Sequence, residues 1–309
     1  MSSLLLIVNP ISGARGHHED SARLRIAIAK RVFAERQTEA EIVLTERARH
    51  AGELAAAAVA RGVERVIVWG GDGTVNDAAG PLIGAPTALG IVPSGSGDGL
   101  ARGLGLSRDP AVALRAAIAG TPRPIDVGWM GERHFLNVAG IGFDAAVAHA
   151  FNQRGRRGAR AYFTTGLAMV WSYQASHYDI QSDAVTVSGR QFMVAFANGP
   201  QYGNGIILCG TACFDDGWLD AVVLADGSPL QQFWRARRLS FRRQAPASGI
   251  VRARLREATV VGDHLRCHAD GETFDASGTL RIRLQPRALK IVGDGGALRE
   301  QPPSPSFFV

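Results

Sequence analysis

The chain has 309 residues, of which 46% are hydrophobic and 20% charged, with a formal net charge of +6. That length exceeds one ordinary core and suits two domains, and the composition excludes a disordered chain. No apolar stretch approaches the ~20 residues of a membrane span. The opening Leu4-Leu5-Leu6-Ile7-Val8 is too short for a secretory signal and lacks a basic leader. Three cysteines, Cys209, Cys213 and Cys267, are too few and odd in number for a disulfide framework, which points to a reducing cytoplasm. The positive charge is almost wholly arginine, since Lys30 and Lys290 are the only lysines. Neither follows a glycine-rich loop, so a P-loop is excluded. The charge admits nucleic acid, anionic membrane or a phosphorylated substrate as partners. No aromatic-basic recognition motif supports nucleic acid.

In chain order, the first 125 residues alternate short apolar runs with helical segments, which predicts an α/β domain with a mainly parallel sheet. Strands are expected at 4–8, 41–44, 65–69 and 87–92. Helices are expected at 19–36, 48–60, 75–82, near Leu100 and at 110–119, with Pro110 in a first turn. After Pro122 and Pro124 the texture changes. Short strands are expected at 133–138, 184–187, 191–196, 218–224, 251–261 and 280–284, with helices at 159–171 and 229–239. This is a β-rich second domain spanning 126–287. The apolar run 288–292 is expected to return, within 288–300, to the first domain, and 301–309 is a Pro- and Ser-rich tail.

Three strand-to-helix turns of the first domain are rich in glycine. They are Asn9-Pro10-Ile11-Ser12-Gly13-Ala14-Arg15-Gly16, Gly70-Gly71-Asp72-Gly73-Thr74-Val75-Asn76-Asp77 and Pro93-Ser94-Gly95-Ser96-Gly97-Asp98-Gly99. Each follows a buried strand, so a parallel sheet gathers all three at its carboxyl edge, where such folds bind ligands. Glycines let backbone approach a phosphate, and helix N-termini offer free N–H donors. Tight turns with Ser and Thr caps would explain any one of them. Asp72 is the residue that turns alone leave unexplained, because a carboxylate beside phosphate needs a metal or a donor hydroxyl. A zinc site built from Cys209, Cys213, His264, Cys267 and His268 is not expected, since on a strand Cys267 faces away from the two histidines.

The second turn resembles the G-G-D-G-T-x-N-E signature of the diacylglycerol kinase catalytic-domain superfamily, which includes bacterial lipid kinases and sphingosine kinases. Asn9-Pro10-Ile11-Ser12-Gly13 resembles the family's N-P-x-S-G opening, and Thr45 stands where it has a nucleotide-contacting threonine. Phe135-Leu136-Asn137-Val138-Ala139-Gly140-Ile141-Gly142-Phe143-Asp144 resembles its interdomain motif. Asp215-Asp216-Gly217-Trp218-Leu219-Asp220 and Asp270-Gly271-Glu272 resemble its D-D-G-x-L-D and D-G-E elements. The resemblance implies a Rossmann-like α/β nucleotide-binding domain, a β-sandwich-like domain, and an active site in the cleft between them. It implies an ATP site lined by Asn9, Pro10, Ser12, Gly13, Thr45, Gly70, Gly71, Asp72, Gly73, Thr74, Asn76 and Ser96. Asp72 would handle Mg²⁺, and Glu272 or Asp270 would take the proton of a lipid hydroxyl. A second, structural cation would sit on Asp216 and the carbonyls of Cys213 and Trp218. The acceptor would be a diacylglycerol or a sphingoid long-chain base. The third turn departs from the bacterial G-T-G-N-D, with Asp98 for the asparagine and Gly99 for the aspartate. It resembles the sphingosine kinase branch, which leaves the metal network and the choice of lipid open.

Phosphoryl transfer asks mainly for positioning and charge neutralisation. Arg15 and Arg102 are the arginines nearest the turns. Two arginine-bearing segments could meet an anionic membrane peripherally. In one, Arg154, Arg156, Arg157 and Arg160 precede Tyr162, Phe163, Leu167, Val170 and Trp171; the other carries Arg235, Arg237, Arg238, Arg242 and Arg243. A homodimer is left open. The rival readings are an NAD kinase-like enzyme, which shares G-G-D-G-T, and a non-catalytic nucleotide or lipid binder of the same fold.

Overall fold

Alternation along the strands sets the architecture. The computed structural model describes residues 3–13, 18–153, 159–203, 206–239 and 247–293. The first half comprises β1 (Leu4–Val8), α1 (His18–Glu35), β2 (Glu41–Leu44), α2 (His50–Ala60), β3 (Arg65–Gly70), α3 (Asp72–Ala79), β4 (Ala88–Pro93), α4 (Gly99–Gly103) and α5 (Pro110–Ala119). The four strands are parallel in the order β2-β1-β3-β4. Every residue of β1 is buried, because helices cover both faces of the sheet. Leu4, Leu6 and Val8 pack with Val32 and Phe33 of α1 and Leu114 of α5. Leu5 and Ile7 point the other way, onto Ala51 and Ala55 of α2 and Val75 of α3. The alanines of α2, at 51, 55 and 58, are the buried ones, and their small size brings the helix close to the sheet.

The second half runs β5 (Pro122–Met130), β6 (Arg133–Phe135), β7 (Val138–Gly142), α6 (Phe143–Gln153), α7 (Ala159–Met169), β8 (Ser176–Gln181), β9 (Thr186–Ala197), β10 (Gln201–Gly203) and β11 (Ile206–Ile207). It continues with β12 (Leu219–Ala225), α8 (Pro229–Leu239), β13 (Ile250–Leu255), β14 (Glu257–Ala269) and β15 (Glu272–Val292). Strands β9 and β14, of 12 and 13 residues, each pair first with β8 and then with β7. The early part of β14 pairs with β8 and its end with β7, with a register shift between Gly262 and Leu265. Val194, Phe196, Tyr178, Val260 and Ile282 fill the space between the layers. Met193, Ala195, Val222 and Leu224 face outward, under Leu239 of α8 and Val170 and Tyr173 beyond α7. This is the expected β-sandwich-like domain beside the expected α/β domain.

The two halves share one continuous sheet. Leu280–Leu284 is part of the 21-residue β15, whose last residues run parallel to β4, with Ile291 opposite Leu89 and Val292 opposite Gly90. On its other edge β15 pairs antiparallel with β5, which passes unbroken through residue 126. Asp126, fully buried, accepts from the N–H of Arg287 and of Gly217, each at 2.7 Å. It thereby pins the irregularity of β15 between Gln285 and Leu289, where Arg287 has φ 52°.

Four expected strands differ: 184–187 and 191–196 are one strand, β9, and two others are each divided. The strand 133–138 is two strands, interrupted at Leu136 and Asn137, whose N–H groups turn to a carboxylate instead of a neighbouring strand. The strand 251–261 is also two, because β13 pairs with β12 and β14 with β15, with Arg256 between them. Helix α6, rich in alanine, and strands β5, β8, β10 and β11 have no counterpart in the sequence reading.

Arg65 opens β3 and closes α5. Its Nη1 donates to the carbonyls of Ile118 at 2.7 Å, Gly120 at 2.9 Å and Ala117 at 3.2 Å, where the helix dipole favours a cation. Arg65→Met should lower unfolding free energy in urea by about 1–3 kcal/mol, because charge-assisted bonds to orphan helix carbonyls are lost.

Candidate active site

The turns after β1, β3 and β4 meet at one sheet edge, and glycine is what lets them touch. A Cβ on Gly13, whose φ is +62°, would lie 1.9 Å from the Ser94 carbonyl oxygen. One on Gly95 would lie 2.9 Å from Gly71 Cα and 2.6 Å from Asp98 Oδ1. Asn9 Nδ2 donates to Thr74 Oγ1 at 2.7 Å, so this hydroxyl is held by the first turn and does not cap α3. Arg25 reaches from α1 to donate to the carbonyls of Asn9 and Ser12 and lies over the Trp69 ring at 5.9 Å. Nothing in the spacing of Arg25 from the motif marks this bracing role. In the third turn Gly95 N donates to Asp98 Oδ1 at 2.8 Å, and Arg102 Nε donates to Gly97 O at 2.9 Å. Arg102 is thus tied into its own turn, and Arg15 lies outside the described residues.

Asp72 stands at the centre of this edge. Burial first, then the neighbouring charge of Asp98 and more weakly that of Asp270, push its carboxyl up to about 6. The N–H groups of Gly99 and Leu100, at the start of α4, bond the carboxylate and oppose the rise. Burial also raises Asp98, whose Oδ2 is enclosed and has no hydrogen-bond partner. Two crowded carboxylates with an orphaned oxygen are short of positive charge, so the residues fit a divalent cation. The acid missing at Gly99 could not be restored by substitution alone. A Cβ there would lie 2.6 Å from Tyr202 O and 2.8 Å from Asn137 Nδ2.

The second half supplies the facing wall. A cleft of about 540 Å³ is lined by Asn9, Thr45, Gly73, Thr74 and Asn76 on one side and by Glu132, Arg133, His134 and Glu272 on the other. The two acids of the β14–β15 turn are used differently. Asp270 Oδ1 accepts from Asn137 N and Val138 N, each at 3.0 Å, and Oδ2 from Leu136 N at 2.7 Å and Asn76 Nδ2 at 2.8 Å. Glu272 Oε1 lies 3.8 Å from the position a Cβ would take on Gly73. Behind the turn, Gly271 N donates to His268 Nδ1 at 3.3 Å. The proton therefore sits on Nε2, which faces Asp144 Oδ2 at 3.1 Å. Tyr202 OH donates to the same oxygen at 2.9 Å. His268 and Asp144 support the turn from below, and the motif gave Asp144 without this partner.

Of the candidate nucleotide residues, Asn9, Thr45, Gly73, Thr74 and Asn76 share the cleft. Gly70, Gly71 and Asp72 line a smaller cavity beside it with Asp98. Ser12 is buried under Arg25, Gly13 packs on Ser94, and Ser96 is exposed at the tip of its turn. Pro10 is half-buried in the first turn. The carboxylate assigned by resemblance to a structural cation is otherwise engaged: Arg254 Nη2 donates to Asp216 Oδ2, and Trp218 N donates to Oδ1 at 3.1 Å. Arg254 Nε lies 3.7 Å from Asp220 Oδ1, and burial pushes Asp220 up to about 6. Cys213 Sγ donates to Asp215 Oδ1 at 3.1 Å. Among the described residues no group of three or more His, Cys, Asp and Glu side chains is arranged to hold a metal. The Arg254 guanidinium at Asp216 supplies part of the charge compensation that a cation there would bring.

The fold is that of the two-domain diacylglycerol kinase type. The profile described as "Diacylglycerol kinase catalytic domain" matches residues 3–130, and "YegS C-terminal NAD kinase beta sandwich-like domain" matches residues 137–293. A protein of Pseudomonas putida named "Probable lipid kinase YegS-like" is 32% identical over 257 residues, covering 81% of this chain and 84% of the relative. One of the same name from Chromohalobacter salexigens is 36% identical over 185 residues, covering 58% of this chain and 60% of the relative. The crystal structure of a diacylglycerol kinase from Bacillus anthracis superposes with a TM-score of 0.72 at 20% identity, covering 95% of this chain and 97% of that one. The chain belongs to the YegS-like lipid kinase family.

Two measurements probe these charges. Asp72 binds its proton more tightly folded than unfolded, so stability falls as pH rises from 3.8 to about 6 and stays reduced above. Asp72→Asn should flatten that fall, and at neutral pH without metal it should raise stability by on the order of 1 kcal/mol, read from melting curves against pH. At the second acidic loop, Arg254→Ala should lower unfolding free energy in urea by about 3 kcal/mol by stranding buried carboxylates.

Proposed function

We propose that the protein transfers the γ-phosphoryl group of Mg-ATP to the hydroxyl of a membrane-derived lipid, a diacylglycerol or a sphingoid long-chain base. The observation that carries this reading is the division of the two acids: Asp270 is spent on four hydrogen bonds, while Glu272 faces Gly73 across the cleft. Relatives named as lipid kinases support the acceptor class.

In this reading the N–H groups and hydroxyls of the three turns hold the phosphates, which suits a chain with two lysines. Mg²⁺ held by Asp72 and Asp98 supplies neutralisation of charge on the phosphate oxygens when bound. Thr45 and Asn9 line the nucleotide side of the cleft. Glu272 accepts the proton of the lipid hydroxyl as its oxygen bonds to the γ-phosphorus, and the bond from that phosphorus to the β–γ bridging oxygen breaks, releasing ADP. Asp270 and His268 keep Glu272 at its distance from Gly73. The lipid reaches the cleft from a bilayer, so peripheral contact with an anionic surface belongs to the same reading. Among the described residues no helix is long and apolar enough to cross a membrane.

Phosphorylation assays on diacylglycerol, sphingoid base and NAD⁺ with labelled ATP test the proposal. Glu272→Gln should cut lipid phosphorylation by ~10²–10⁴ while leaving nucleotide affinity nearly intact. Asp72→Asn should depress transfer to every acceptor, including water. An active Glu272→Gln enzyme would move the base to another group, and transfer to NAD⁺ alone would overturn the lipid acceptor.

A further inference from the structure

Helix α8 is docked the wrong way round for a surface helix in water. Its inner side carries Gln232, whose Nε2 donates to Ala225 O at 2.9 Å, Arg235, whose Nη1 donates to the same carbonyl at 2.6 Å, and Leu239 in the outer core. Its outer side carries Leu230, Phe233, Trp234 and Arg237, at the i, i+3, i+4 and i+7 spacing of one helical face. Leu230 is 64% exposed, Phe233 52% and Trp234 55%. A scattered exposed apolar residue needs no explanation, but three on one helical face form a patch. The rings of Phe233 and Trp234 meet edge to face at 6.3 Å, and the Arg237 guanidinium lies 5.9 Å from the Trp234 ring.

We infer that this outer face of α8 docks the protein on an anionic bilayer, an inference that rests on the lipid-acceptor reading above. Charge selects the occupant. The helix contains no acid, Arg237 and Arg238 lie in its last turn, and the nearest preceding acid, Asp226, is paired with Arg190 at 2.9 Å. Leucine and aromatic rings flanked by arginine match the layered chemistry of a bilayer surface, apolar below and anionic above. Trp171, 72% exposed just beyond α7, stands on the same side of the sheet, since its neighbours Val170 and Tyr173 pack on the cluster that holds Leu239. Residues 240–246, which include Arg242 and Arg243, lie outside the described residues, as do Arg154, Arg156 and Arg157 and the side chains of Arg160, Tyr162 and Phe163.

Sedimentation of the full chain with vesicles tests this without nucleotide, so its outcome is independent of whether the chain is a kinase. Binding to phosphatidylcholine mixed with phosphatidylglycerol should exceed binding to phosphatidylcholine alone and should weaken as salt rises. The pairs Phe233→Ser with Trp234→Ser, and Arg237→Gln with Arg238→Gln, should each weaken partitioning by about tenfold or more. Both pairs should keep the wild-type far-ultraviolet circular dichroism and melting temperature, which shows that they fold. Unaltered vesicle binding by both pairs overturns the inference. So does loss of a dimer in size-exclusion chromatography upon changing Phe233 and Trp234 with vesicle binding retained, which would make a second copy the occupant.

Discussion

The Asp270 carboxylate is the interaction on which the rest of the site depends. It bonds three consecutive N–H groups, those of Leu136, Asn137 and Val138, and the side chain of Asn76 on α3. One side chain therefore fixes the end of β14, the break between β6 and β7, and the helix that follows the second glycine turn. Its backbone φ of 48° is unusual for a residue with a Cβ, and Gly271 follows at 87°. The bonds sustain that conformation, because a chain that relaxed out of it would leave the three N–H groups without their partner. The separation of Glu272 from Gly73 is set by this clasp and by the His268–Asp144 pair beneath it, not by contacts of Glu272 itself.

Three sets of carboxylates are neutralised by different means. Asp126 is satisfied wholly by backbone N–H groups. Asp216 and Asp220 share the guanidinium of Arg254. Asp72 and Asp98 have no basic side chain bonded to them, only the N–H groups of Gly95, Gly99 and Leu100. The contrast separates structural from available charge. Asp126, bonded at both oxygens, holds two loops together, whereas Asp72 and Asp98, with no basic side chain bonded to them, retain capacity for a ligand.

The first half of the fold was legible because its periodicities are strong. Leu4 to Val8 reads as a buried parallel strand, and the three glycine turns follow strands at intervals that place them on one edge. Asp72 stood out as a charge that turn geometry alone does not require. The division of roles between Asp270 and Glu272 was not legible. Both occupy one short turn, and the groups that claim Asp270 lie more than a hundred residues away in sequence. Arg25 and Arg254 were missed for the same reason, since an arginine's reach across the fold leaves no local pattern. The two-for-one errors at 133–138 and 251–261 arose where neighbouring residues pair with different strands. A run of β-favouring residues cannot announce that change of partner.

Strand β15 has a bearing on how the chain comes to be folded. It lies between β14 of the sandwich and β4 of the α/β half, and it is the last strand described. Until it arrives, β4 has an open edge and Leu89, opposite Ile291, lacks its cover. During synthesis the amino-terminal half therefore emerges as a sheet awaiting a strand made about two hundred residues later. Such distant pairing carries a high entropic cost of loop closure and slows folding. An exposed parallel edge is meanwhile open to mispairing with another nascent chain. The two halves are thus not separable in assembly: neither can complete its sheet until β15 is in place.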